Sequence, residues 1–202
     1  YLVIDKGCIA HSIFRYPTHM RFFSSANLLE IGGVPFIAQQ EKPSRSEALE
    51  YYRRVAQDLK LNVHLYEEVM DVQGEDGRFE IFTSKTRYLA AKVICATGFF
   101  EKPRPLGIPG ENLPKVTHYY REAHLYHDQD LLIAGSGNSA VDAALECYRH
   151  GARVTLAIRY SGFHQGIKYW ILPDVENRIE SGEIQAFFNT RIVEIRPDSV
   201  VL

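Results

Sequence analysis

The chain has 202 residues, 46% hydrophobic and 24% charged, with 23 Lys plus Arg against 25 Asp plus Glu and a formal net charge of −2. That balance is typical of a globular protein and calls for neither nucleic acid nor a membrane surface as partner. No apolar run approaches the ~20 residues of a membrane span and the start reads as neither signal nor transit peptide, so a cytoplasmic location is expected.

The length allows one large or two modest domains. Cys8, Cys95 and Cys147 form no C-x-x-C pair, which argues against a disulfide-stapled secreted domain and against a CxxC redox centre within this chain. Cys95, in an apolar run, and Cys147, in a helical pattern, are expected to be buried, inert thiols. The chain begins in mid-strand without an initiator Met and stops on Ser199-Val-Val-Leu202, another apparent strand, so it reads as a piece of a longer polypeptide.

Tyr1 to Gly7 is a short apolar strand ending in Asp5 and Lys6, the form of the second strand of a dinucleotide-binding unit; Asp5 is then a ribose ligand or an ordinary turn acid. Cys8 to Phe36 has no clean period and mixes aromatics with polar groups. Its rings are either walls of a flavin pocket or core, with Thr18 and His19 as candidate ligands. Lys42 to Lys60 carries a helix start signal, with Pro43 before a Ser44…Glu47 capping box and a core stripe at Ala48, Leu49, Tyr52, Val55, Ala56 and Leu59. A strand at 62–66 and a β-meander at 69–72 and 78–82, turning at Gly74 to Gly77, follow. Glu67, Glu68, Asp71, Glu75 and Asp76 show no metal or catalytic pattern and read as solvated.

Lys92 to Gly98 is expected to be a buried strand that turns sharply at Ala96-Thr97-Gly98, where small residues let the backbone pass close to a ligand. Pro103, Pro105 and Ile108-Pro109-Gly110 stiffen its exit. Leu113 to Asp130 is a connector rich in Tyr and His. The spacing of His118, His124 and His127 matches no zinc motif, so no metal is expected.

Leu131 to Arg159 is the most informative stretch. An apolar strand enters Gly135-Ser-Gly137-Asn138-Ser139-Ala140, a helix follows with Val141, Ala144, Leu145 and Tyr148 on one face, and Gly151 leads into a β-branched strand. This is one β-α-β unit with a G-x-G-x-x-A fingerprint. Gly135 makes the turn, Gly137 lets a pyrophosphate approach, small Ala140 lets helix and strand pack closely, and the helix start offers free N–H groups. The second strand ends in Arg159 with no acid from Thr155 to Tyr160. Arginine suits the 2′-phosphate of NADPH, the alternative being a solvated strand end. Beyond it come a loop from Ser161 to Asp174, a short helix at 175–180 and strands at 184–188 and 192–195. Lys168 in that loop either assists Arg159 or is solvated.

An acid-ended strand, a meander, Val93-Ile-Cys-Ala-Thr-Gly98 followed by prolines and then G-x-G-x-x-A on a fresh strand resemble the flavoproteins with two dinucleotide-binding domains, as in thioredoxin reductases and flavin monooxygenases. Tyr16-Pro-Thr-His19, Phe22-Phe-Ser-Ser25, Leu29-Glu-Ile-Gly32, Ser139-Ala-Val-Asp-Ala-Ala144 and Lys168-Tyr-Trp-Ile-Leu-Pro173 resemble more closely the YpdA-type bacillithiol-disulfide reductases. The resemblance implies an α/β fold of two Rossmann-like domains, FAD binding over 1–126 and NADPH binding over 127–202, each partial. It implies FAD and NADPH as cofactors, a small-molecule disulfide as substrate, no nucleic-acid or membrane partner, and allows a homo-oligomer. Asp5, Lys6, Thr97 and Gly98 would then meet FAD.

The FAD glycine loop of such proteins, with its redox cysteine, is absent here. A monooxygenase fingerprint F-x-G-x-x-x-H placed on His118 would need Phe at Asn112 and Gly at Pro114. A monooxygenase and a non-catalytic redox-sensing module remain as alternatives.

Overall fold

The computed structural model describes residues 1–100 and 103–202. They form two compact units, Tyr1–Lys102 and Pro103–Leu202. Each is a mixed α/β assembly with parallel strand pairing.

In the first unit β1 (Val3–Ile4) pairs in parallel with β2 (Val63–His64). A short helix α1 (His11–Arg15), absent from the sequence reading, lies in the otherwise irregular segment that follows β1. Helix α2 (Arg45–Asp58) begins where the capping pattern placed it. The Ser44 hydroxyl accepts from the Glu47 amide, and Glu47 Oε2 accepts from the Ser44 amide at 2.7 Å. Ala48, Tyr51 and Val55 are its buried residues. Tyr51 stacks on buried Phe36 with ring centroids 4.3 Å apart, and its hydroxyl donates to the Val34 carbonyl at 2.7 Å. Leu59, expected in the core, is 43% exposed because the helix has already ended; Tyr51 fills that role. The aromatics of the irregular segment divide: Phe36 and Phe22 join the core, whereas Phe14 and Phe23 are exposed.

The meander has three strands, β3 (Val69–Glu75), β4 (Arg78–Thr83) and β5 (Arg87–Ala90), in antiparallel order. The third strand was not read from the sequence, since Thr86-Arg87-Tyr88-Leu89 carries little alternation. Two expectations are corrected here. Glu67 is buried, 2% exposed, where a solvated acid was expected. Residues 92–98 form no strand: Ile94 is 91% exposed and Cys95 is exposed instead of buried. A parallel strand is buried only when neighbours pair with it, and none of the described strands does.

The second unit holds β6 (Asp130–Ala134), α3 (Asn138–Arg149), β7 (Arg153–Ala157), α4 (Leu172–Glu180) and β8 (Gln185–Phe187). The three strands pair in parallel in the order β6-β7-β8. Val141, Ala144, Leu145 and Cys147 of α3 meet Val154, Leu156 and Ile158 of the sheet in one core. A hairpin of β9 (Glu194–Ile195) and β10 (Val200–Val201) closes the chain. The connector lies in this unit: Tyr120, Ala123 and Tyr126 pack on the same core, so the contact division falls near 102 whereas the sequence reading divided the chain at 126. Among the described residues no helix is long and apolar enough to cross a membrane.

Candidate functional site

The glycine turn sits where two parallel strands end together. Ala134 of β6 pairs with Ala157 of β7, and the Gly135 amide donates to the Ala157 carbonyl at 3.1 Å. Gly135 has φ +137°, in a region that L side chains rarely adopt. A β-carbon on Gly137 would meet nothing within 4 Å, so this backbone faces open space. Gly137 also caps α3 without a side chain. The Ala140 amide bonds back to the Gly137 carbonyl at 3.1 Å, and the Asn138 and Ser139 amides, first in the helix, come before any acceptor within it. Open space, free amides and the positive end of a twelve-residue helix fit a phosphate group.

Arg159 lies two residues past the strand pairing, on the adjoining strand end. It is exposed, its guanidinium lies 4.7 Å from the Tyr160 ring centroid, and among the described residues no carboxylate pairs with it. The cation is thus available to an anion beside the turn. Ser139 is exposed on the first turn of α3, and Asn138 directs its side chain to the loop after β7. Lys168 is neither solvated nor turned toward Arg159. Its Nζ donates to Asp142 Oδ2 at 2.8 Å, a partner that no spacing rule had singled out.

In the first unit the Asp5 amide donates to the His64 carbonyl at 3.0 Å and the Asp5 carboxylate accepts from the Gly7 amide at 2.7 Å. The acid is therefore aimed by its own turn, at the end of β1. Thr97 and Gly98 are exposed, Gly98 has φ +77°, and a β-carbon there would stand 3.5 Å from Ser12 Oγ of α1. The fold thus brings the Ala-Thr-Gly turn beside the helix that follows Asp5. Lys6, Thr18 and His19 are exposed at the surface of the same unit.

Two buried carboxylates escaped the sequence reading. Glu67 Oε1 accepts from Thr83 Oγ1 at 2.6 Å and from the Tyr88 hydroxyl at 3.0 Å, with His64 Nδ1 3.4 Å from Oε2. Those bonds, the Thr83 hydroxyl first, hold its carboxyl below the usual range. Glu111 accepts from the Leu106 and Gly107 amides at 2.6 and 2.7 Å and pins the proline-rich loop. These amides likewise hold it low. Glu67 finds its hydroxyl partners 16 and 21 residues away, which leaves no local pattern, so it reads as a surface residue; Glu111 bonds back over four and five residues, within a proline-rich loop that matches no regular spacing.

A parallel sheet with a glycine turn at its strand ends, in one chain with a second α/β unit, defines a fold of the dinucleotide-binding class. The family model described as Pyridine nucleotide-disulphide oxidoreductase matches residues 1–202, and the chain belongs to that family, whose members work with a nicotinamide nucleotide and a flavin. Bacilliredoxin reductase Bdr of Bacillus subtilis (strain 168) is 44% identical over 201 residues, covering 99% of this chain and 62% of its own. The solved structure of Bacillithiol Disulfide Reductase Bdr (YpdA) from Staphylococcus aureus matches with a TM-score of 0.96 at 43% identity, over 98% of this chain and 62% of that one. A flavin monooxygenase mutant from Stenotrophomonas maltophilia matches with a TM-score of 0.73 at 19% identity, over 98% and 72%, and shows the shared fold alone. The chain thus spans 62% of the length of its Bdr relatives.

Proposed function

We propose that this chain belongs to an FAD-dependent enzyme that passes hydride from NADPH through flavin to a low-molecular-weight disulfide of the bacillithiol type. The observation that carries the reading is the 44% identity to bacilliredoxin reductase Bdr across 99% of the chain. The first unit is assigned to FAD and the second to NADPH. Reduction by NADPH fits the cytoplasm, where small thiols are kept reduced.

The chain's own residues bind and orient. The amides at the start of α3 and the bare backbone of Gly137 receive the pyrophosphate, and Arg159 receives the 2′-phosphate. Asp5 accepts from a ribose hydroxyl, Lys6, Thr18 and His19 lie on the same unit, and the Thr97-Gly98 turn lets the ring system approach. The flavin, when bound, supplies the two-electron chemistry between nicotinamide and disulfide.

The test uses the full-length protein reconstituted with FAD. NADPH consumption is followed anaerobically with a panel of low-molecular-weight disulfides, against a control in air without any. Turnover that depends on one disulfide and ignores oxygen is expected. Turnover only in air would replace the reading with a monooxygenase, and none in either with a nucleotide-binding module.

A further inference from the structure

The loop that follows β7 folds back across the glycine turn and is fastened there. The His164 amide donates to the Ser136 carbonyl at 3.0 Å. Asn138, the first residue of α3, uses both ends of its carboxamide: Nδ2 donates to the Gly166 carbonyl at 2.9 Å, and Oδ1 accepts from the Lys168 amide at 2.9 Å. One helical turn further on, Asp142 holds the Lys168 ammonium. Residues four apart share a helix face, so one side of α3 grips the backbone and side chain of residues 166–168. Ile167, between the gripped residues, is buried in the core of the unit.

This loop starts at Arg159. Backbone bonds of Ile158 and Tyr160 to Phe187, Asn189 and Thr190 hold one end of it, and the clip holds the other, so the two together set how the segment that carries the arginine runs past the turn that would take the pyrophosphate. Two bonds to separate backbone groups also fix the carboxamide toward the loop. An untied loop would have to be ordered each time a nucleotide arrives, and that ordering subtracts from affinity.

We propose that Asn138 is a positioning residue through its side chain: by clipping the 159–168 loop to the start of α3, the carboxamide sets the affinity and the 2′-phosphate selectivity of the nucleotide site without itself touching the nucleotide. The proposal rests on the nicotinamide-nucleotide reading of this turn. It gives the Asn138 carboxamide, turned to the loop, a role apart from the Asn138 and Ser139 amides that start the helix.

The experiment compares full-length wild type, Asn138→Ala and Asp142→Ala by calorimetric titration with NADPH and with NADH, and by hydrogen exchange at the Lys168 amide without nucleotide. Asn138→Ala, which removes both bonds of the carboxamide, is expected to weaken NADPH on the order of tenfold, to weaken NADH less, and to speed exchange at Lys168. Asp142→Ala, which releases the loop from the side away from the turn, is expected to weaken NADPH in the same direction. Unchanged NADPH affinity, equal weakening of both nucleotides, or tighter binding by Asp142→Ala overturns the proposal. A wild type that binds neither nucleotide overturns the underlying reading instead, and is told apart because the exchange measurement needs no ligand.

Discussion

A β-carbon on Gly135 would stand 3.2 Å from the β-carbon of Ala140, with Gly135 at φ +137°. Turn and helix approach so closely that a side chain at the first position would crowd the methyl group of the second, at a backbone angle that L side chains rarely adopt. Gly135→Ala is expected to destabilise the protein by about 1–3 kcal/mol through backbone strain and crowding, and to weaken nucleotide binding more than tenfold. Chemical denaturation and a nucleotide titration check both. Unchanged values would mean that the turn relaxes freely.

Arg159 carries no ion pair among the described residues, so its charge is uncompensated before a ligand arrives. Arg159→Glu is expected to lower NADPH affinity by about 10- to 100-fold, a bidentate charge contact replaced by repulsion, while NADH changes by less than about threefold. The ratio of the two dissociation constants is the readout. An unaltered ratio sinks the 2′-phosphate assignment.

The capping box makes α2 sensitive to acid. Bonds from the Ser44 hydroxyl, then from the Gln39 and Ser44 amides, pull the Glu47 carboxyl down to about 2 from an ordinary 4.5. A carboxyl depressed in the folded state contributes fully above its unfolded value and loses that contribution as pH falls from about 4.5 toward about 2. Ser44→Ala is expected to cost about 1 kcal/mol at neutral pH and to flatten this acid dependence. Thermal melts of both proteins between those pH values test it.

Glu67 joins three strands at once, through His64 of β2, Thr83 of β4 and Tyr88 of β5. Tyr88→Phe should lower the melting temperature by a few degrees, and Glu67→Leu by more, since both hydroxyls lose the carboxylate and Thr83 keeps only the Thr86 carbonyl and Tyr88 only His64. Because the Glu67 carboxyl is also held low, the difference between wild type and Glu67→Leu should shrink as the pH is lowered through the carboxylate range. A pH-independent difference would show that the acid contributes shape alone.

Cys147 is fully buried on α3, and burial pushes its thiol up to about 11. It should resist a thiol-alkylating reagent at pH 7 in the native protein and react after denaturation. Mass mapping of labelled Cys147 in the two states is the check, and rapid native labelling would contradict the packing of α3 on the sheet.

Local signals were legible in the residues alone wherever the interaction that shapes them is local. The Ser44…Glu47 box spans four positions, the Gly135…Ala140 turn six, and the apolar face of α3 repeats every turn, so each appears in a short window of sequence. The motifs that resembled a Bdr-type reductase are of this kind, and the similarity found over the whole chain agrees with them. The burial of Glu67, the pinning of the proline loop by Glu111, the exposure of 92–98 and the grip of Asn138 and Asp142 on residues 166–168 belonged to the tertiary structure. Each depends on which backbone group, hydroxyl or pairing strand the fold delivers, and no spacing in the sequence announces it. A carboxylate or carboxamide has the same sequence signature whether its partner is water or a buried donor, so only folding decided between them.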